Sequence, residues 1–191
     1  LEKVVVGITG ASGSVYGKRL VEVLVSNSYG VDLVFSEVGR RVFEYEIGMS
    51  VERFISILPS DLVNVYEPAD LFAPISSGSY PVRGMVVSPC STGTLGHIAN
   101  GVVQNLIHRA ADVNLKEKRP VILVLRETPL NRVHVENMLK VIDAGATVLP
   151  ASPGFYGRPS SVEELVDFVV DRALSLLLGR KFGLFKGWSP E

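Results

Sequence analysis

Val4-Val5-Val6-Gly7-Ile8-Thr9-Gly10-Ala11-Ser12-Gly13 is the stretch that decides the fold. Its first five residues are almost continuously apolar, without alternation, which is the pattern of a strand buried on both faces in a parallel sheet. The glycine-rich turn that follows lets the backbone come close to a ligand, and a helix starting just beyond it would offer its first amides to an anion. A phosphate-bearing cofactor suits such a turn.

The pattern repeats along the chain. Leu20, Val21, Val23 and Leu24 give the next segment an apolar helical face, which ends in the Ser/Asn/Gly-containing stretch 26–30. Residues 31–35 read as a second strand, 38–46 as a helix, 62–66 as a weaker strand and 84–88 as a strong one. After Pro89-Cys90-Ser91-Thr92-Gly93-Thr94 come helical stretches over 95–100 and 104–118, a strand over 121–125, a helix over 133–144 and a strand over 146–149. A closing helix runs from Ser160 or Ser161 to about Leu178, with Glu163 and Glu164 at capping-box spacing. Strands alternating with helices of this length imply right-handed crossovers and an α/β fold: one doubly wound, mainly parallel sheet with helices on both faces. Ligands of such sheets bind beyond the carboxyl ends of the strands, which directs attention to 9–13, Ser36, 89–94 and Arg126-Glu127.

The bulk numbers agree with one compact domain over residues 1–179 and a tail over 180–191. The chain has 191 residues, 47% of them hydrophobic and 20% charged, too apolar for a disordered polymer. Lys and Arg total 19 against 20 Asp and Glu, so no global field draws it to nucleic acid or to an anionic membrane. No apolar run approaches the roughly 20 residues of a membrane span. The single cysteine, Cys90, cannot form an internal disulfide, and Leu1-Glu2-Lys3-Val4 does not read as a signal peptide; both point to the cytoplasm. The tail carries Arg180, Lys181, Phe182, Phe185, Lys186 and Trp188, a mixture expected to dock on a neighbouring subunit or to fray.

The residues narrow the chemistry. A nicotinamide site is disfavoured, because the third glycine of its usual turn falls at Tyr16, no Tyr is followed four residues later by Lys, and Ser36 rather than an acid ends the second strand, although Glu37 is adjacent. Ser91-Thr92-Gly93-Thr94 places hydroxyls and backbone donors at a second helix start, where ordinary capping explains one hydroxyl but not three. Arg109 is spaced with Leu106 and Val113, Lys116 follows it by seven residues, and Arg172 is spaced with Leu165, Val169 and Leu176. Cations on core-facing stripes need an anionic partner; a structural ion pair serves for each alone, a phosphate-rich pocket for the three together with Arg126. Glu127 is the best-placed carboxylate for acid-base work, and Glu46 a second. His97, His108 and His134 lack metal-ligand spacing, and Cys90 reads as a small core residue.

Taken in order, Gly10-Ala11-Ser12-Gly13 with Tyr16-Gly17, Ser77-Gly78-Ser79, Pro89-Cys90-Ser91, Arg109-Ala110-Ala111-Asp112-Val113 with Leu115-Lys116-Glu117, Arg126-Glu127-Thr128-Pro129-Leu130, His134-Val135-Glu136-Asn137-Met138 and Pro153-Gly154-Phe155-Tyr156 resemble the UbiX family of flavin prenyltransferases. The resemblance implies a Rossmann-like or flavodoxin-like FMN domain and metal-independent transfer of a dimethylallyl group from dimethylallyl phosphate to N5 and C6 of reduced FMN. It implies that Gly10, Ala11, Ser12, Ser36, Ser91, Thr92, Gly93, Thr94 and Arg126 hold FMN, that Arg109, Lys116, Tyr156 and Arg172 hold the prenyl phosphate, and that Ser12, Glu46, Lys116 and Glu127 act in catalysis. It further implies a homododecamer built from trimers, with sites shared between subunits, and UbiD-type decarboxylases as recipients of the prenylated flavin. Leu71, beside Phe72, stands where some relatives carry a larger aromatic, which leaves the donor's chain length open. Two other readings compete: an FMN-dependent decarboxylase acting directly on an aromatic acid or a peptide cysteine, which needs no phosphate cradle, and a flavin carrier without chemistry of its own, which has little use for Lys116, Tyr156 and Arg172.

Overall fold

A computed structural model describes residues 1–187; Trp188 and the end of the tail lie outside the described residues. Six strands, β1 (Lys3–Ile8), β2 (Gly30–Phe35), β3 (Val63–Tyr66), β4 (Met85–Cys90), β5 (Val121–Leu125) and β6 (Thr147–Pro150), form one sheet. Every pairing is parallel and the order is β3-β2-β1-β4-β5-β6. The direction of winding reverses between β1 and β4, the crevice where such sheets bind ligands.

The opening run of valines does what two-sided burial requires. Val4, Val6 and Ile8 face one core with Leu20, Leu24, Phe43, Phe54, Val169 and Leu174; Val5 faces the other with Met85, Leu106, Ile107, Ala110 and Val141. Helices α1 (Ser14–Ser26), α2 (Glu37–Ile47), α3 (Val51–Ser56) and α7 (Val162–Leu178) cover the first face, and α4 (Thr92–Ala99), α5 (Leu106–Lys116) and α6 (Arg132–Asp143) the second. The glycine missing at Tyr16 is supplied one residue later. A Cβ on Gly17 would run into the carbonyl oxygen of Ser88 and the side chain of Ile8, so glycine there lets α1 lie against the sheet.

The structure departs from the sequence reading in identifiable places. Helix α3 is added: the Ser50 hydroxyl caps it by accepting from the Arg53 amide at 3.1 Å, and Phe54 packs on Phe43 with ring centroids 5.2 Å apart. Helix α5 begins at Leu106 rather than 104 because Asn105 caps it, accepting from the His108 amide at 3.0 Å. The expected core-facing stripes of cations are not formed. On α5 the buried face carries His108 and Asn114 as well as apolar residues, leaving Arg109 at its flank and Lys116 exposed. On α7 the buried residues are Val166, Val169, Val170, Asp171, Ala173, Leu174 and Leu177, so Arg172 is exposed. A helical period of 3.6 allows several stripes, and packing chose the neighbouring one in each case.

Residues 180–187 return along α7 instead of fraying from it: the Phe182 and Leu184 side chains pack against the first core, and the Arg180 guanidinium lies over the Tyr29 ring at 5.4 Å. Among the described residues no helix is long and apolar enough to cross a membrane.

Candidate active site at the carboxyl edge

The ends of β1 and β4 are tied together at the switch point. The buried Thr9 hydroxyl donates to the Pro89 carbonyl at 2.7 Å and accepts from the Ser91 amide at 2.9 Å, fixing the glycine turn beside the start of α4. Ser36, at the end of β2, caps α2 by accepting from the Gly39 amide at 2.9 Å. Ser91 caps α4 likewise, accepting from the Thr94 amide at 3.1 Å while its hydroxyl donates to Thr94 Oγ1 at 3.1 Å. Two helix N-termini are thereby aimed at one crevice, each with its partial positive charge.

The start of α1 behaves differently from the sequence expectation. Its amides at Gly13 and Ser14 do not await an external anion, because both donate to Glu46 Oε2 at 2.9 Å. Gly13, at φ 109°, has no side chain with which to cap the helix, and Glu46 from the last turn of α2 takes that role. Partial burial works to raise the Glu46 carboxyl, but the Ser12 hydroxyl and the Ser14 and Gly13 amides outweigh it and hold the group below the usual carboxylate range. Ser12, exposed at the tip of the turn, is therefore coupled to a carboxylate that stays ionised.

Arg126 follows β5, its amide donating to the Cys90 carbonyl at 3.2 Å. Its side chain passes Gly13 and lies near the half-buried Tyr16, whose phenol is raised by burial against the opposing pull of the guanidinium. Glu127 is exposed; one carboxylate oxygen accepts from the Thr128 amide at 3.0 Å and the other faces the Thr92 hydroxyl at 3.5 Å. The crevice thus gathers Gly10 to Gly13, Ser36, Glu46, Ser91 to Thr94, Arg126 and Glu127. These residues fit a flavin mononucleotide: two helix starts, capping hydroxyls and an arginine suit its phosphate, and a Cβ on Gly93 would find only Ser91 Oγ, 3.9 Å away, so the backbone there is open to close approach.

The four residues expected to hold the prenyl phosphate are not brought together within one chain. Arg109 and Lys116 ride on α5, on the opposite face of the sheet from α7, which carries Arg172. Arg109 donates to Asp112 at 2.7 Å and to the Ser76 carbonyl at 3.1 Å, and Lys116 pairs with Glu117 beside Gly78. Tyr156 lies in the loop after β6, its ring edge-on to Phe168 with centroids 5.8 Å apart. Phe72, on the loop after β3, is fully exposed and Leu71 partly so.

Cys90 is fully buried, and burial pushes its thiol up to about 12. His97 and His108 stack with centroids 4.4 Å apart, a pairing without a local signature because ten residues, a loop among them, lie between the two. Among the described residues no cluster of three His, Cys, Asp or Glu side chains could hold a metal ion. Thr9 ties β1 to β4, a role whose only local sign in the sequence is a threonine set between an apolar strand and a glycine turn.

Strand order, helix starts and the arginine together define a doubly wound α/β protein with a crevice at the switch point suited to a nucleotide or flavin phosphate. A family model described as Flavoprotein matches residues 1–174. The flavin prenyltransferase UbiX of Halalkalibacterium halodurans is 47% identical over 193 aligned positions, covering 97% of this chain and 93% of that protein. The crystal structure of AnUbiX in complex with FMN and dimethylallyl pyrophosphate superposes with a TM-score of 0.94 at 37% identity, covering 100% of this chain and 98% of its own. A dodecameric FMN-dependent UbiX-like decarboxylase from Escherichia coli O157:H7 gives 0.92 at 37% identity, covering 98% and 100%. The chain belongs to the Flavoprotein family and, within it, to the UbiX flavin prenyltransferases.

Proposed function

We propose that this protein transfers a dimethylallyl group from dimethylallyl phosphate to reduced FMN, forming bonds at N5 and C6, and that UbiD-type decarboxylases in the cytoplasm receive the product. The observation that carries the reading is the crevice in which two capped helix N-termini, Arg126 and the locked Glu46 converge at the β1/β4 switch point. Reduced FMN supplies the nucleophilic positions. Gly10, Ala11, Ser12, Ser36, Ser91 to Thr94 and Arg126 bind and orient it.

Arg109, Lys116, Tyr156 and Arg172 bind the prenyl phosphate and stabilise the negative charge that builds on it as the carbon-oxygen bond breaks. Because α5 and α7 cover opposite faces, this cradle takes its cations from more than one copy, and a homododecamer of trimers meets that need. Lys116 can give a proton to the departing phosphate. Glu127, exposed at the crevice, accepts the proton lost from C6, and Ser12 with its ionised partner Glu46 holds the flavin edge in a fixed hydrogen-bonding state.

The test is anaerobic incubation of the FMN-loaded protein, chemically reduced, with dimethylallyl phosphate or dimethylallyl pyrophosphate, followed by mass spectrometry of the flavin. A gain of one prenyl unit is expected. Unchanged flavin together with consumption of an aromatic acid would establish the direct decarboxylase instead. Unchanged flavin and no turnover would leave a carrier. Lys116→Ala and Arg172→Ala should abolish transfer while FMN stays bound, and loss of FMN from either variant would refute the division of the site.

A further inference from the structure

We propose that Asp171 is a positioning residue for the prenyl-phosphate site, acting through the C-terminal tail on Tyr156; the proposal rests on the reading of Tyr156 as a ligand of that phosphate. Asp171 lies on α7, one residue before Arg172, with 3% of its surface exposed. A buried carboxylate is tolerated only when its oxygens are hydrogen-bonded. One oxygen of Asp171 accepts from the Ser175 hydroxyl at 2.8 Å and the Phe182 amide at 3.4 Å; the other accepts from the Leu184 amide at 2.8 Å. The chain reaches both amide positions because it reverses at Gly179 and again at Gly183, each left-handed with φ of 69° and 71°.

The anchored tail delivers Phe185 to the site. The Phe185 ring packs on Phe168 with centroids 4.7 Å apart, and Phe168 in turn meets Tyr156 edge-on. Gly154 leaves room for this stack, since a Cβ there would sit 2.9 Å from the Tyr156 ring and 3.0 Å from that of Phe168. Gly154, Gly157, Phe168, Leu184 and Phe185 share the wall of one cavity of about 260 Å³. A carboxylate on α7 therefore holds the tail, and the tail packs Phe185 on the ring of Phe168, a residue of the same helix, against which the Tyr156 ring rests. The tail is thereby part of the site's support.

The experiment compares Asp171→Asn, Phe185→Ala, Phe185→Tyr and Tyr156→Phe in the FMN-loaded protein. Asn at 171 turns an N–H towards a backbone N–H or forfeits a second acceptor, so tryptic cleavage at Lys181 and Lys186 should accelerate, a readout independent of activity. Asp171→Asn and Phe185→Ala should raise KM for dimethylallyl phosphate roughly tenfold with kcat and FMN affinity little changed, and Phe185→Tyr should restore it. Adding Phe185→Ala to Tyr156→Phe should cost nothing further, because the first change acts through the second. A silent Phe185→Ala beside an impaired Tyr156→Phe overturns the part given to the tail, as does an FMN affinity that falls in step with KM. A silent Tyr156→Phe overturns the assignment of Tyr156 itself, and the proposal with it.

Discussion

Glu46 Oε2 accepts hydrogen bonds from the amides of Gly13 and Ser14, both at 2.9 Å, so that the last turn of α2 caps the first turn of α1. The glycine turn is thereby neutralised from within the chain, and the helix starts of the crevice that are capped by a neutral hydroxyl instead are those of α2 and α4. One carboxylate both stabilises the fold and stands next to Ser12.

Those two roles separate in two variants. Glu46→Ala removes the cap and should cost about 1 kcal/mol of stability, as loss of a helix cap does. Glu46→Gln keeps an acceptor oxygen and should lose less. If the ionised group also serves the reaction, both variants slow prenyl transfer by roughly a hundredfold or more, the typical scale for losing a proton-handling group. Thermal melts and single-turnover flavin prenylation measure the two effects side by side.

Gly17→Ala should destabilise the protein. The new Cβ meets backbone at Ser88, which cannot swing away, and the fully buried Ile8. Relief requires α1 to lift from the sheet, at a cost of about 1–3 kcal/mol. Urea titration would show the loss, and FMN affinity should fall with it because α1 carries the turn.

Much of this arrangement was legible in the sequence, for reasons that are local. An uninterrupted valine run followed by glycines reports two-sided burial and a tight turn, and Ser36 and Ser91 announce helix starts by their position after apolar strands. What stayed hidden depends on long-range packing. Glu46 is 33 residues from Gly13, and no pattern within α2 says that its end reaches the start of α1. Arg109, Lys116 and Arg172 fit apolar stripes by spacing, yet the helices rolled so that other residues went inward. The tail's basic and aromatic residues gave no hint of Asp171, because its partners are backbone amides.

Cys90 should be inert in the folded protein. Its thiol is fully buried at the end of β4 and burial pushes its pKa up to about 12, so almost no thiolate exists at pH 8. Iodoacetamide should leave the native protein unlabelled and modify it once in urea. Rapid native labelling would mean that the end of β4, and with it the crevice, opens readily.

His108 sets a pH dependence whose sign follows from its surroundings. Burial, reinforced by the stacked His97, lowers its pKa from the ordinary 6.5 to about 4, and its Nδ1 accepts from the Gln104 amide at 3.3 Å, which requires that nitrogen to be unprotonated. Between pH 6.5 and 4 the unfolded chain binds a proton at this position that the native chain does not, so stability rises with pH across that window. The contribution is whole above pH 6.5 and is lost as the pH falls towards 4, amounting to about 3 kcal/mol at the low end. His108→Gln should flatten the profile of unfolding free energy between pH 6.5 and 5, a range above the titration of ordinary carboxylates. A variant whose slope there equals that of the parent would place the proton uptake elsewhere.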